Sequence, residues 1–145
     1  MRHVILISSI AFMSLAQNGS NAATGSWSAE LKGQTFMRLE LHSQAGKLTG
    51  TLAVSDFQVD DHGGVRSVGE LPHDATPIFD VSQQASTVTF SRKDDADTDR
   101  FEFRLIDSAH GELRLLPTEE FRAELSSNGI PTPKPFILTR QPSAK

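Results

Sequence analysis

The chain has 145 residues, 14 basic and 18 acidic side chains, a formal charge of -4 and no cysteine. That length fits one domain, and the missing cysteine excludes disulfides and thiolate metal ligands, so a hydrophobic core must hold the fold alone. A mildly acidic surface argues against nucleic acid and anionic membranes as partners, because both require a basic face.

Met1-Arg2-His3 precede an apolar run from Val4 to Leu15 broken only by serines, and a small polar stretch, "AQNGSNAA", follows. This is the charged, apolar and small-residue order of a secretory signal peptide, assigned to residues 1–22. The apolar run is well short of the ~20 residues that span a bilayer as a helix. We therefore expect a cleaved leader, no membrane anchor, and export. Cleavage after Ala16, Ala22 or Ala23 satisfies the small-residue rule. Losing the leader removes Arg2 and no acid, which moves the charge from -4 to -5.

From residue 24 onward the chain alternates apolar and polar residues with the period of two that marks strands with one buried face. "GSWSAELK" sets Trp27, Ala29 and Leu31 against Ser28, Glu30 and Lys32. "FMRLELHS" turns Met37, Leu39 and Leu41 inward, and "KLTGTLAV" does the same with Leu48, Leu52 and Val54. The short "SQAGK" between them predicts an antiparallel hairpin. The rhythm lapses from Asp56 to Pro77, where only "VRSVGEL" suggests a short strand.

Strands resume with "IFDVS" and "STVTFSR", whose Val88 and Phe90 face in. "RFEFRLID" follows with Phe101, Phe103 and Leu105 inward, then "GELRLLP" with Leu113, and finally "FILTR". One segment has helical rhythm. In "TEEFRAELSSNG", Thr118 can cap the N-terminus, Glu119 and Glu120 suit the positive end of the dipole, and Phe121 and Leu125 share a face. Asn128-Gly129 stops it. About eight strands in hairpin order, with one short helix before the last, predict an all-β antiparallel up-and-down barrel over residues 24–140 and a frayed tail over 141–145.

Gly25-Ser26-Trp27 in the first strand and Arg140 in the last resemble the calycin arrangement of lipocalins and avidins. In those families a basic residue lies over the indole and closes the barrel's base, so the resemblance implies a structural pair of Trp27 and Arg140. "GSWSAEL" to "KLTGTL" is similar to the first hairpin of avidin-type barrels. Ala29, Leu52 and the absence of a second tryptophan depart from that family's ligand pattern, so biotin binding is not implied. Over nearly the whole of residues 24–140, the outline Gly25–Glu30, Gly46–Thr51, Pro77-Ile78, Thr87–Phe90 and Leu138–Arg140 resembles a group of uncharacterised secreted bacterial barrel proteins. That likeness implies a barrel and export from a bacterial cell, to a secreted or periplasmic location, without a function.

Candidate chemistry is sparse. "DDADTDR", residues 94–100, puts four aspartates in six positions, but Arg100 stands where an EF-hand needs glycine and Ile106 where it needs glutamate. It reads as a solvated hairpin turn, with weak calcium binding as the alternative. Asp60, Asp61, His62, His73 and Asp74 fall in the irregular segment without any metal-ligand spacing, and no serine lies in a nucleophile elbow.

The expected function is a non-enzymatic binding barrel for a small, largely apolar ligand, lined by Met37, Leu39, Leu52, Phe90, Phe101, Phe103 and Leu113, with Phe121 as a cover. A protein-interaction domain with a filled core, binding an exported enzyme or envelope component, is the alternative. A metal-dependent or acid/base enzyme using Asp61, His62 and His73 ranks third. No cofactor and no metal are expected.

Overall fold

The computed structural model describes residues 22–95 and 97–142. The expected leader, apart from Ala22, lies outside the described residues, as do residues 143–145 of the expected tail. Among the described residues no helix is long and apolar enough to cross a membrane.

Among the described residues ten strands form: β1 (Gly25–Leu31), β2 (Gln34–Gln44), β3 (Lys47–Val54), β4 (Phe57–Val59), β5 (Val65–Val68), β6 (Thr76–Gln84), β7 (Thr87–Asp94), β8 (Asp97–Leu105), β9 (His110–Leu115) and β10 (Phe136–Arg140). Eight of them close a barrel in the order β1-β10-β9-β8-β7-β6-β3-β2, and every neighbouring pair is antiparallel. The eight-strand up-and-down barrel read from the periodicity is therefore the fold. Closure leaves no long unpaired edge, which an open sheet of this size would have to protect.

Between β3 and β6 the irregular segment folds into a separate hairpin of β4 and β5. Its turn is held by Asp60, whose carboxylate accepts from the backbone N–H groups of His62 and Gly64 at 2.8 and 3.0 Å. The helix, α1 (Glu119–Ser127), starts where expected: Thr118 Oγ1 accepts from the Phe121 N–H at 3.1 Å. It ends at Asn128 with Gly129 at φ 69°, and the Ile130 N–H returns to the Leu125 carbonyl at 2.8 Å. That return bond satisfies a carbonyl the helix would otherwise leave open.

The inward faces of the strands build one core. Trp27, Leu39, Leu41, Leu52, Val88, Phe90, Phe103, Leu113 and Leu138 are each 0% exposed. Each large apolar side chain so buried contributes about 1.5–3 kcal/mol. Gly111 lets β9 approach closely, since a Cβ there would lie 2.4 Å from the Phe103 ring. Two seams are narrow: β1 meets β10 through Trp27↔Arg140 and Ser28↔Thr139, and β3 meets β6 through Thr51↔Pro77 and Leu52↔Thr76. The second has a physical cause, because Pro77 has no N–H to donate and β6 bulges between Phe79 and Ser82, with Asp80 at φ 50°.

Candidate functional site

The two ends of the barrel differ in their connections. At the base, β2 turns into β3 through Ala45-Gly46 and β6 into β7 through Ala85-Ser86. At the mouth lie both long connections, one carrying the β4–β5 hairpin and the other carrying α1.

The base is sealed. The Arg140 guanidinium lies 4.2 Å from the centre of the Trp27 ring and donates to the carbonyls of Ser108, Thr24 and Ala22 at 2.8, 2.5 and 2.6 Å. Trp27 Nε1 donates to the Ala23 carbonyl at 3.0 Å, and the Phe103 ring meets the indole edge-on at 5.0 Å. Gly25 is required at this spot, since its φ is +133° and a Cβ would stand 2.7 Å from Arg140 Nη1. Ala22 and Ala23 thus supply carbonyl partners to this base. Sealing here is structural.

At the mouth a cleft of about 1080 Å³ opens between the barrel rim, the segment leading into the β4–β5 hairpin, and α1. Met37, Leu52 and Phe101 form its floor, Phe57 and Phe136 a wall, and Phe121 and Leu125 of the helix a cover. The cover is loose: no residue of α1 is buried, and Phe121 and Ile130 expose 36% and 44% of their surface. The cleft's aromatic wall is firm by contrast, with Phe36, Phe57 and Phe136 meeting at 5.6–6.4 Å between ring centres. The two mouth segments also touch, through the Lys134 N–H bonded to the Gly63 carbonyl at 2.9 Å.

"DDADTDR" proves to be the tip of the β7–β8 hairpin, with Asp95 at φ 55° in its turn. Pairing runs to the tip: Phe90 faces Phe101, Arg92 faces Asp99, and Asp94 faces Asp97. Directly opposed residues in an antiparallel pair share a face, so the inward face that begins as phenylalanine ends as charge at the mouth. Arg92 lies 3.7 Å from Asp99, 3.9 Å from Asp94 and 5.9 Å from the centre of the Phe101 ring. Its Nε is buried without a hydrogen-bond partner. Burial holds the Asp99 carboxyl above the ordinary carboxylate range, although Arg92 pulls the other way.

Of the residues expected to contact ligand, Met37, Leu52, Phe101 and Phe121 line the cleft. Leu39, Phe90, Phe103 and Leu113 lie deeper in the packed core and do not line it. The alternation gives inwardness for those on strands, but depth along the barrel is a tertiary property that it does not encode. Arg92, Asp94, Asp97 and Asp99 were missed as lining residues. Extending the parity of Phe90 and Phe101 by two and four positions toward the turn would have found them.

The histidine candidates fall elsewhere. Asp60 is spent on its own turn, whose backbone N–H bonds hold its carboxyl below the usual range, and neither His62 nor His73 lines the cleft. Among the described residues no three His, Asp or Glu side chains form a metal-holding group. A second, smaller cleft of about 460 Å³ runs along the β3–β6 seam past Leu48, Ile78 and Phe79.

No protein-family model matches the chain, and neither the curated proteins nor the solved structures yield a match.

Proposed function

We propose that the protein is an exported binding barrel whose ligand, a small and largely apolar molecule, is held in the mouth cleft and not in the barrel interior. The observation that carries this is the contrast in packing: a core of fully buried side chains lies beneath a cleft of about 1080 Å³ lined by Met37, Phe101, Phe121, Leu125 and Phe136. The cleft joins these apolar side chains to convergent polar groups, the combination with which proteins take small ligands. The resemblance of Gly25–Glu30 and Gly46–Thr51 to secreted bacterial barrels supports export, and nothing in the proposal draws on a catalytic group.

The test is a titration of the purified protein with a neutral, environment-sensitive naphthylamine dye. One saturable site is expected, weakened by Phe121→Ser and Leu125→Ser and unaffected by Ile137→Ser, whose exposed side chain lies outside the cleft. Absence of saturable binding, or equal binding by all three variants, would refute it.

A filled core is also what a protein-interaction domain would have. The exposed Phe121 and Ile130 at one end of the molecule favour that second reading, with α1 as the contact surface. Native mass spectrometry of detergent-free protein separates the two, because a retained small molecule supports the ligand barrel.

A further inference from the structure

The cleft has a charge imbalance that a purely apolar ligand would leave unused. Asp94, Asp97 and Asp99 line it from the β7–β8 hairpin and Glu120 and Glu124 from α1, and with Asp56 and Asp74 they make seven carboxylates against three arginines. Two of those arginines are tied to neutral side chains, Arg66 to Gln58 Oε1 and Arg100 to Ser91 Oγ, both at 2.8 Å. Arg92 alone stands among the hairpin acids, and its single charge is shared between Asp94 and Asp99. Among the described residues no basic group lies within ion-pairing distance of Asp97, Glu120 or Glu124.

Building on the reading of the cleft as a ligand site, we infer that its ligand is a cationic amphiphile, with its apolar body between Phe101 and the Phe121–Leu125 face of α1 and a protonated amine among Asp97, Asp99 and Glu124. A concave site of one sign of charge with apolar walls concentrates field lines and raises the local concentration of the opposite ion. Within it the effective dielectric is below that of water, so a charge contact is stronger than the same contact in bulk solvent. A neutral ligand would leave Asp99 desolvated with only a shared arginine, and an anion would meet the remaining carboxylates at close range.

The experiment is displacement of the naphthylamine dye by decylamine, decanol and decanoate, which share an apolar tail and differ in the head group. At low ionic strength decylamine is expected to bind about tenfold tighter than the other two. The advantage should shrink several-fold when salt is raised to about 0.5 M, where the screening length falls to a few ångström. Asp99→Asn and Glu124→Gln should each cut decylamine affinity by about threefold or more and leave decanol unchanged. Tightest binding by decanoate would make Arg92 the anchor and overturn the inference, as would equal binding by all three. In both cases the cleft remains a ligand site. If no compound displaces the dye, or the dye does not bind, the reading of the cleft as a ligand site falls with it.

Discussion

The base and the mouth of this barrel use the same material, one arginine beside an aromatic ring at the end of an inward-facing stripe, with opposite results. Arg140 has three backbone carbonyls as partners and an indole beneath it, so its charge is satisfied and the end is closed. Arg92 has carboxylates at 3.7 and 3.9 Å, a ring at 5.9 Å and an orphaned Nε, and the space around it stays open. A guanidinium seals a barrel when fixed carbonyls fill its five-donor fork, and leaves a polar opening when its partners are flexible and too distant.

The sharpest way to break that contrast is at the base. Trp27→Ala removes a fully buried indole and should cost about 3–5 kcal/mol in urea unfolding, with the mouth variants serving as comparison. Arg140→Ala should cost about 2–3 kcal/mol, because three carbonyls lose a charged donor. Arg140→Lys should recover less than half of this, since an ammonium cannot reproduce the fork. An unchanged melting temperature in Arg140→Ala would contradict the sealing role of the Trp27 pair. Gly111→Ala forces a Cβ onto the Phe103 ring and should cost about 1–3 kcal/mol by equilibrium unfolding.

At the mouth the expected stability effects are smaller and one has the opposite sign. Asp99 is held above its ordinary value by burial, so the folded chain binds that proton more tightly than the unfolded one. Its contribution to stability is present below the ordinary value and is lost as pH rises through the raised one. Asp99→Asn should therefore narrow the stability gained on acidification over that window, as the difference between wild-type and variant melting curves. Asp60 and Asp107, lowered by backbone hydrogen bonds, act in the other direction in both proteins and cancel from the difference. Phe121→Ala, on a helix with no buried residue, should change stability by less than about 0.5 kcal/mol while weakening dye binding severalfold.

The base also bears on processing. Where the chain is exported, cleavage after Ala22 or Ala23 would disrupt or remove carbonyls that Arg140 and Trp27 use, whereas cleavage after Ala16 keeps both. An intact mass of the secreted protein beginning at Gln17 is the expected result.

Much of this was legible in the residues. Alternation in "FMRLELHS" and "RFEFRLID" gives strand and face because a side-chain period of two is a local property of extended backbone. Thr118 and Asn128-Gly129 bound the helix because capping is settled within a few residues of the chain. The hairpin of β4 and β5 was only half visible, since its strands of three and four residues are too short to show a period. Asp94 to Asp99 read as a wet turn by composition; Asp95 lies in the turn, but Asp94, Asp97 and Asp99 stand in paired strands, and their alternation continues that of Phe90 and Phe101 into the cleft.

The sequence by itself therefore determined the eight barrel strands, their inward faces, the helix and its ends, and the Gly-x-Trp with Arg140 that marks the base, since each depends on near neighbours or on a spacing fixed by backbone geometry. Only the tertiary structure decided which inward residues lie in packed core and which at the rim. Depth along a barrel depends on how eight strands stagger against one another, and that stagger is a sum of registers between residues far apart in the chain.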